Sequence, residues 1–447
     1  MDLSVKESNQ FKIKELTLVT KAGPIDITSI FVEINIFDSL LLPVINGSVS
    51  IIDSLGLSSK LIFDGSEAIL INIAKDDESD IAEFKRSFRI YKQSGRQNEN
   101  QTTESYTLHF CSDELLFSDQ QRINQSYTGK YSDIVEKIMI NYLKVRENNL
   151  GGLYENSIGL RKVVIPNLRP LEAIEWCTKR AVDIRNSPNF MFWQNLVGFN
   201  FASLSTLLTQ EDILEISFGV KNKKDGTPFS EMGGAKSLDV ITQNDSLEKT
   251  RSGVNAGKFM GFDPITRSYA TRNISYADHY TSMEHGNEAP NFSSIQNRDK
   301  AYNDRMFDSK KTLSIFGAAR KFSNYVKNNE PNMITNNQDY ENVVFQRTAI
   351  LKNLMGKKLK LVMPGNFQLT SGFNVSVSTP SFGVDNDEED PTLSGKYLIT
   401  ATRHIISFDK HETILEVAST SNKQEFIFES NPIQNEAVLD YWYDKRR

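Results

Sequence analysis

Asp64-Gly65-Ser66-Glu67-Ala68-Ile69-Leu70-Ile71-Asn72-Ile73 reads as a turn opening a strand, and Thr370-Ser371-Gly372-Phe373-Asn374-Val375-Ser376-Val377 repeats the device near the other end of the chain. An acidic loop follows each: Asp76, Asp77, Glu78 and Asp80 in the first copy, Asp385, Asp387, Glu388, Glu389 and Asp390 in the second. A long hairpin completes each copy, Phe84 to Tyr91 against Ser105 to Cys111, and Lys396 to Ile405 against Glu412 to Ala418. Residue identity between the copies is low, so the match lies in order and spacing. Two similar small β-barrels in one chain point to a ring-building part rather than an enzyme.

Working outward from the first copy, residues 1 to about 117 read as nearly continuous strand. Val32, Ile34 and Ile36 alternate with Glu33 and Asn35, the period of two that turns one face into a core. Gly47, Val49 and Ile51 alternate with Ser48 and Ser50, and Tyr106, Leu108 and Phe110 with Thr107, His109 and Cys111. Ala22-Gly23-Pro24, Asn46-Gly47 and the polar stretch Ser94 to Thr103 supply turns. Strands joined in this way, with no helical period between them, predict an antiparallel barrel or sandwich.

The period then changes. Ile134, Val135, Ile138, Met139, Tyr142 and Leu143 predict an amphipathic helix from Ser132 to Lys144, with Ser132 as N-cap and Asp133 near the positive end of the dipole. A second helix is predicted from Pro170 to about Asp183, burying Leu171, Ile174, Cys177 and Ala181. An aromatic hairpin follows, Phe190 to Trp193 and Phe199 to Phe201. Its rings Trp193, Phe199 and Phe201 are read as the cover of a small core rather than a stacking platform for sugars or bases. Residues 118–212 thus form a small α/β unit, and Asp212 to Val220 returns to strand. Residues 241–340 are polar with weak periodicity and read as an insertion of short elements and ordered loops, held by other subunits, with one short helix at Asp308 to Lys321. Alternation resumes from Tyr340 to Ser421. The tail, residues 422–447, carries Phe426, Phe428, Tyr441, Trp442 and Tyr443 before a basic end and reads as a docking segment.

The 447 residues allow several domains, each with its own core. A hydrophobic share of 39% and a charged share of 24% are those of an ordinary globular protein. No apolar run approaches the roughly 18 residues that would span a bilayer, and MDLSVKESNQ has neither the basic flank nor the apolar core of a secretory signal. Cys111 and Cys177 fall in different elements without metal-like spacing. They read as buried free thiols of a reducing compartment, with a disulfide as the alternative. The net charge of -6 carries no basic stripe, so nucleic acid would pass such a protein without being gripped.

Reaction machinery is missing from the pattern. The chain has no GxSxG, Walker A, GxGxxG, HExxH or CxxC sequence. His279 and His285, with Glu284 between them, read as solvated loop residues rather than a metal site. His404 in its strand and His411 at the hairpin tip read as structural or exposed. The acidic run Asp385 to Asp390 lacks the register and internal glycine of a calcium loop and reads as a solvated hairpin loop. No two carboxylates can be assigned to a glycosidase-like pair. Catalytic, cofactor-binding and metal-ligating residues are therefore all expected to be none.

Several stretches resemble one family. Ser105-Tyr106-Thr107-Leu108-His109-Phe110-Cys111-Ser112-Asp113-Glu114-Leu115-Leu116, leading into Tyr127-Thr128-Gly129-Lys130 and the helix after it, is similar to the end of the first barrel in baseplate hub proteins of contractile-tailed bacteriophages. Ile165-Pro166-Asn167-Leu168-Arg169-Pro170-Leu171-Glu172-Ala173-Ile174, with Lys179-Arg180-Ala181, resembles that family's second helix, and Gly198-Phe199-Asn200-Phe201 its aromatic hairpin. Val362-Met363-Pro364-Gly365-Asn366, Thr370-Ser371-Gly372 and Ser394-Gly395-Lys396-Tyr397-Leu398-Ile399 resemble its second barrel. The likeness covers residues 25–220 and 345–420; the insertion and the tail carry no matching motif. Late control protein D and the hub half of type VI secretion spike proteins are related.

The resemblance implies a mainly β fold with α+β character, in which two tube-like antiparallel β-barrel domains flank a small α/β domain, with an irregular insertion. The implied boundaries are 1–117 for the first barrel, 118–212 for the α/β domain, 213–240 for the start of the second barrel, 241–340 for the insertion, 341–421 for the second barrel and 422–447 for the tail. It further implies a homotrimer that adapts a sixfold tail tube to a threefold central spike. Its partners would be the spike, tail tube or tube-initiator proteins, the tape-measure protein and baseplate wedge proteins, with DNA passing the lumen unbound and no membrane involved. The place would be the virion tail baseplate, assembled in the host cytoplasm. In related proteins a needle or a cell-wall-degrading domain is fused behind the hub. Only about 26 residues follow the second barrel here, so either is expected on a separate chain. The hub of a contractile injection or secretion device and a cell-wall hydrolase are the alternatives.

Overall fold

The computed structural model describes residues 11–60, 63–75, 84–100, 102–145, 153–185, 187–219, 234–243, 340–381 and 389–423, with shorter pieces between 245 and 318. The chain opens with β1 (Phe11–Thr20), β2 (Gly23–Asp26), β3 (Phe31–Ser39), β4 (Asn46–Asp53), the short helix α1 (Leu57–Lys60), β5 (Ala68–Lys75), β6 (Phe84–Asn98) and β7 (Glu104–Cys111). A middle region follows: α2 (Asp113–Asp119), β8 (Ser126–Gly129), α3 (Tyr131–Asn141), β9 (Arg161–Val164), α4 (Pro170–Thr178), β10 (Phe190–Gln194), β11 (Phe199–Ser203) and α5 (Leu204–Thr209). Next come β12 (Asp212–Ser217), β13 (Ser237–Thr242), β14 (Ala256–Asp263), β15 (Ser268–Ser275), β16 (Ala289–Pro290) and β17 (Leu313–Ala318). The last part holds α6 (Tyr340–Met355), β18 (Lys358–Pro364), β19 (Asn374–Ser378), β20 (Gly395–Ser407), β21 (His411–Ala418) and β22 (Ser421–Asn422).

The fold is mainly antiparallel β. A 13-stranded sheet runs through both ends of the chain in the order β13-β18-β21-β20-β3-β4-β7-β6-β5-β1-β2, with β19 bridging β12 and β20. Its two halves have separate cores. Leu16, Ile36, Val49, Ile71, Phe88, Leu108 and Phe110 meet in one apolar cluster, and Ile216, Leu361, Val375, Tyr397, Ile399 and Leu415 in another.

The two halves share a strand order. The N-terminal half reads β1-β5-β6-β7-β4-β3 and the C-terminal half β12-β19-β20-β21-β18-β13. One irregularity corresponds as well: the β6–β7 ladder skips a residue between Ile90 and Lys92, and the β20–β21 ladder between Ile399 and Ala401. β3 and β13 also carry a bulge each, but at opposite ends of their ladders, between Phe31 and Glu33 and between Val240 and Thr242. One pairing departs: β1 runs antiparallel to β5, whereas β12 runs parallel to β19.

The bulge in β3 corrects the sequence reading there. Simple alternation places Val32 in the core with Ile34 and Ile36. The extra residue flips the face before Glu33, so Phe31 turns inward and Val32 is 43% exposed.

Helix ends also differ from expectation. α3 starts two residues early: Asp133 accepts a hydrogen bond from the Lys130 backbone N–H at 3.3 Å, and Ser132 is buried inside the helix with its N–H on Ser157 Oγ at 3.0 Å. The N-cap is Lys130, not Ser132. α4 stops at Thr178, short of Asp183, though Leu171, Ile174, Cys177 and Ala181 are buried as the spacing requires. Residues 340–355 are the helix α6 rather than alternating strand, and it buries Ala349, Ile350 and Leu354 against Leu398 and Ala418. Within the stretch Asp308 to Lys321, the described residues Leu313–Ala318 form strand β17 beside β14, so the short helix expected there is not formed.

Candidate functional site: the joint between the two β-modules

β20 serves two partners along its length. Gly395 to Leu398 pair with β19 of their own module, and Ala401 to Ser407 pair with Ser39 to Glu33 of β3 in the other. The modules are thus sewn edge to edge by backbone hydrogen bonds. On the polar face of the seam, Arg403 donates from Nε to Asn35 Oδ1 at 2.8 Å, approaches Glu33 at 3.8 Å and lies over the Phe37 ring.

Behind the seam lies a buried polar node. Asp38, at the end of β3, is fully enclosed and accepts hydrogen bonds from the Thr370 hydroxyl, from the Ser371 N–H at 3.1 Å and from the Thr402 hydroxyl at 2.7 Å. Burial pushes its carboxyl up from the usual range, opposed by those three bonds. The Thr370-Ser371-Gly372 turn that drew notice in the sequence is therefore the clasp between the modules. The turn of the aromatic hairpin wedges into it. Trp193 Nε1 and Asn195 Nδ2 both donate to the Ser371 carbonyl, at 3.2 and 3.0 Å, and the Leu196 N–H donates to Thr370 Oγ1 at 3.1 Å. Gln194 Oε1 reaches the other way, accepting from the Ile45 N–H at 3.0 Å and Ser112 Oγ at 2.6 Å. Gly372 has φ +92°, and a Cβ there would stand 2.4 Å from the Trp193 ring. Glycine is required twice over, by conformation and by space.

In the N-terminal module the corresponding turn does no such work. Asp64 and Ser66 are exposed, Asp64 pairs with Lys21, and Glu67 Oε2 accepts from the Gly65 N–H at 3.0 Å.

The histidines of the C-terminal module sit beside the seam. His411 is not at an exposed tip; it begins β21 and is buried against His404, ring nitrogens 3.4 Å apart, with Thr413 Oγ1 at 3.1 Å from His404 Nδ1. Phe367 packs on both rings. Burial holds His404 down to about 3 and His411 well below its ordinary value, the neighbouring imidazole adding to the second shift.

The remaining candidates resolve simply. Cys111 and Cys177 are free and buried. Phe199 and Phe201 lie in the core of the middle region with Ile138 and Ile174, while Trp193 joins Leu204 and Leu398 under the seam. Glu284 pairs with Arg185 at 2.7 Å and His285 Nδ1 lies 3.4 Å from Thr420 Oγ1; His279 lies outside the described residues. Of the acidic run, Glu389 pairs with Lys423 at 2.7 Å and Asp390 caps the Thr392 N–H at 2.7 Å, and Asp385 to Glu388 lie outside the described residues, as do Asp76 to Asp80. Among the described residues no cluster of His, Cys, Asp and Glu could hold a metal ion. No helix there is long and apolar enough to cross a membrane. A cleft of about 480 Å³ between the middle region and α6 is lined by Leu41, Pro43, Leu171, Phe192 and Arg347. Its Glu172 accepts the Arg169 N–H at 2.9 Å and its Asp119 pairs with Arg169 at 3.3 Å. The signal that sequence reading missed is Asp38, an acid next to the apolar pair Ile36 and Phe37, which only its distant partners explain.

No protein-family model matches the chain, and no curated protein matches it. Solved structures do. The 43 kDa tail protein of prophage MuSo2 from Shewanella oneidensis aligns over 91% of this chain and 98% of its own, at 7% identity and a TM-score of 0.50. A tail protein from Neisseria meningitidis aligns over 91% and 96%, at 10% identity and a TM-score of 0.47. The c3393 protein of E. coli, a component of the type VI secretion system, aligns over 93% and 78%, at 9% identity and a TM-score of 0.42. By name, two of these neighbours are tail proteins and the third is a secretion-system component. The chain has the fold of a phage tail protein, that of the prophage MuSo2 protein over nearly its whole length.

Proposed function

We propose that this chain is the baseplate hub of a contractile phage tail, a structural adaptor acting as a homotrimer between the sixfold tail tube and the threefold central spike. The observation that carries the reading is the doubled module. One chain holds two half-sheets with the same strand order, already joined edge to edge through β3 and β20. Three such chains offer six quasi-equivalent units, so a threefold object can meet a sixfold one. On this reading residues 1–117 and 341–421 are the tube-like barrels, 118–212 the α/β domain between them, 213–240 the start of the second barrel, 241–340 an insertion and 422–447 a docking tail. The tape-measure protein and then DNA pass through the lumen without being gripped, which accords with a net charge of -6. Tube or tube-initiator, spike and wedge proteins are the partners, and the virion tail baseplate is the place.

Light scattering on the purified chain, alone and with the cognate spike, tests the reading. Three times 50.7 kDa is expected. A chain that stays monomeric at micromolar concentration, even with the spike present, would refute it. An image down the axis of the assembly should show pseudo-sixfold rotation.

A further inference from the structure

We infer that β13 and the distal half of β6 are the two open halves of a second β3–β20 joint, which closes only between one copy of this chain and the next. The inference rests on the proposed ring and specifies the surface that makes it.

The argument is a count of edges. By strand order, β13 stands where β3 stands in the other module, and β6 where β20 stands. β3 is paired on both sides, by β4 and β20. β13 is paired by β18 alone among the described residues, and it ends the sheet. β20 beyond its bulge is covered by β21 and β3. β6 beyond the same bulge is covered, among the described residues, by β7 alone, since β5 reaches only as far as Arg89. Among the described residues each chain therefore contains one closed joint, one free β3-type edge and one free β20-type edge. Such edges invite pairing with another chain. Because the two free edges differ, the contact is head-to-tail, which makes a ring when its rotation closes.

The closed joint also sets the register. Arg403 and Ser94 hold the same place after the bulge, opposite Ile414 and Thr107 respectively. Phe37 and Thr242 hold the same place at the ends of β3 and β13, opposite Asn46 and Lys358. Arg403 pairs with Phe37, so Ser94 of one chain should pair with Thr242 of its neighbour. One residue further on, Gln243 takes the place of Asp38 and would face the exposed Asp64-Gly65-Ser66 turn, the counterpart of the Thr370-Ser371-Gly372 clasp. The edges suit each other chemically. β13 presents Val240 and Ile241, 43% and 50% exposed, beside the exposed Asp239. β6 presents the exposed Lys92, with Arg96 beyond it held by Glu104 of its own chain at 3.0 Å.

The test uses the full chain in two single variants, Ser94→Cys and Thr242→Cys, each made alone and also co-expressed under two tags so that mixed assemblies form, and bridged with a short bis-maleimide. The native thiols are buried, so they contribute little background. A covalent pair of chains as the main product of the mixed assemblies, and absent from either variant alone, is expected. Ser66→Cys co-expressed with Gln243→Cys is the second pair, should either first variant fold poorly by circular dichroism. Three-chain assemblies by light scattering with no bridge from either pair would overturn this inference and leave the hub reading standing. Bridged chains growing into open ladders would support the edge pairing and remove the closed ring. A monomer that never bridges would sink both.

Discussion

The buried histidine pair makes the C-terminal module acid-sensitive at a pH where an ordinary protein of this composition is stable. His404 and His411 are enclosed with Phe367 on their rings and Phe11 at the edge of His411, and a Cβ on Gly365 would stand 2.1 Å from the His411 ring. A charged imidazole here would sit away from bulk water. Both groups stay neutral in the fold, His404 held down to about 3 and His411 well below its ordinary value. In the unfolded chain each takes up a proton near the usual histidine pKa of about 6.5. The depressed folded value means that stability is full well above pH 6.5 and falls as the pH drops through and below it, down to the folded pKa. At pH 5.0 the cost is about 2 kcal/mol per histidine, on the order of 4 kcal/mol for the pair. Asp38 acts in the opposite sense, because its raised carboxyl holds its proton to higher pH in the fold. The contribution of the pair is therefore read as a difference between two proteins. His411→Phe keeps a ring between Phe11 and Phe367 and removes one titrating group. Hydrogen exchange of β20 and β21 peptides, corrected for intrinsic rates, gives the local opening free energy at pH 7.5 and 5.0. The variant should lose about 2 kcal/mol less than the parent over that interval. Equal losses in the two proteins, or an imidazole resonance of His404 or His411 titrating near pH 6.5 in the folded chain, would refute the reasoning.

The clasp gives further tests. Asp38→Ala strands three buried donors at the seam and should cost about 3 kcal/mol, measured as the urea midpoint followed by tryptophan fluorescence; Asp38→Asn, which keeps one acceptor, should cost less. Gly372→Ala adds a Cβ into the Trp193 ring at a positive φ and should destabilise by about 2 kcal/mol or more, with a shifted Trp193 emission in the folded protein. Burial pushes the Cys111 and Cys177 thiols up to about 11 and about 12, so neither should react with a disulfide reagent at pH 8 until urea unfolds the chain.

Periodicity carried most of the local fold. Ile34 and Ile36, Val49 and Ile51, and Leu108 and Phe110 are buried in alternation as read. The spacing of Ile134, Val135, Ile138 and Met139 marked α3. Errors arose where one residue outweighs a pattern. The bulge at Val32 reverses a face, and only the neighbouring strand shows that it is there. α6 buries Ala349, Ile350 and Leu354 against Leu398 and Ala418, which lie far along the chain, so its buried face is set by distant partners. His411 was placed by its position near a turn, but its side chain is governed by Phe11 and Phe367.

By itself the sequence determined that this is a β-rich chain with a repeated turn-strand-hairpin device, because strand alternation and turn chemistry act over a few neighbouring residues. It also marked Thr370-Ser371-Gly372 as punctuation. Only the tertiary structure decided what that turn clasps, since Asp38 lies more than three hundred residues away and its bonds form once β3 lies against β20. The joining of the two modules, and the two edges left over by it, depend on pairings between distant strands, and no local pattern of residues encodes which distant edge a strand will meet.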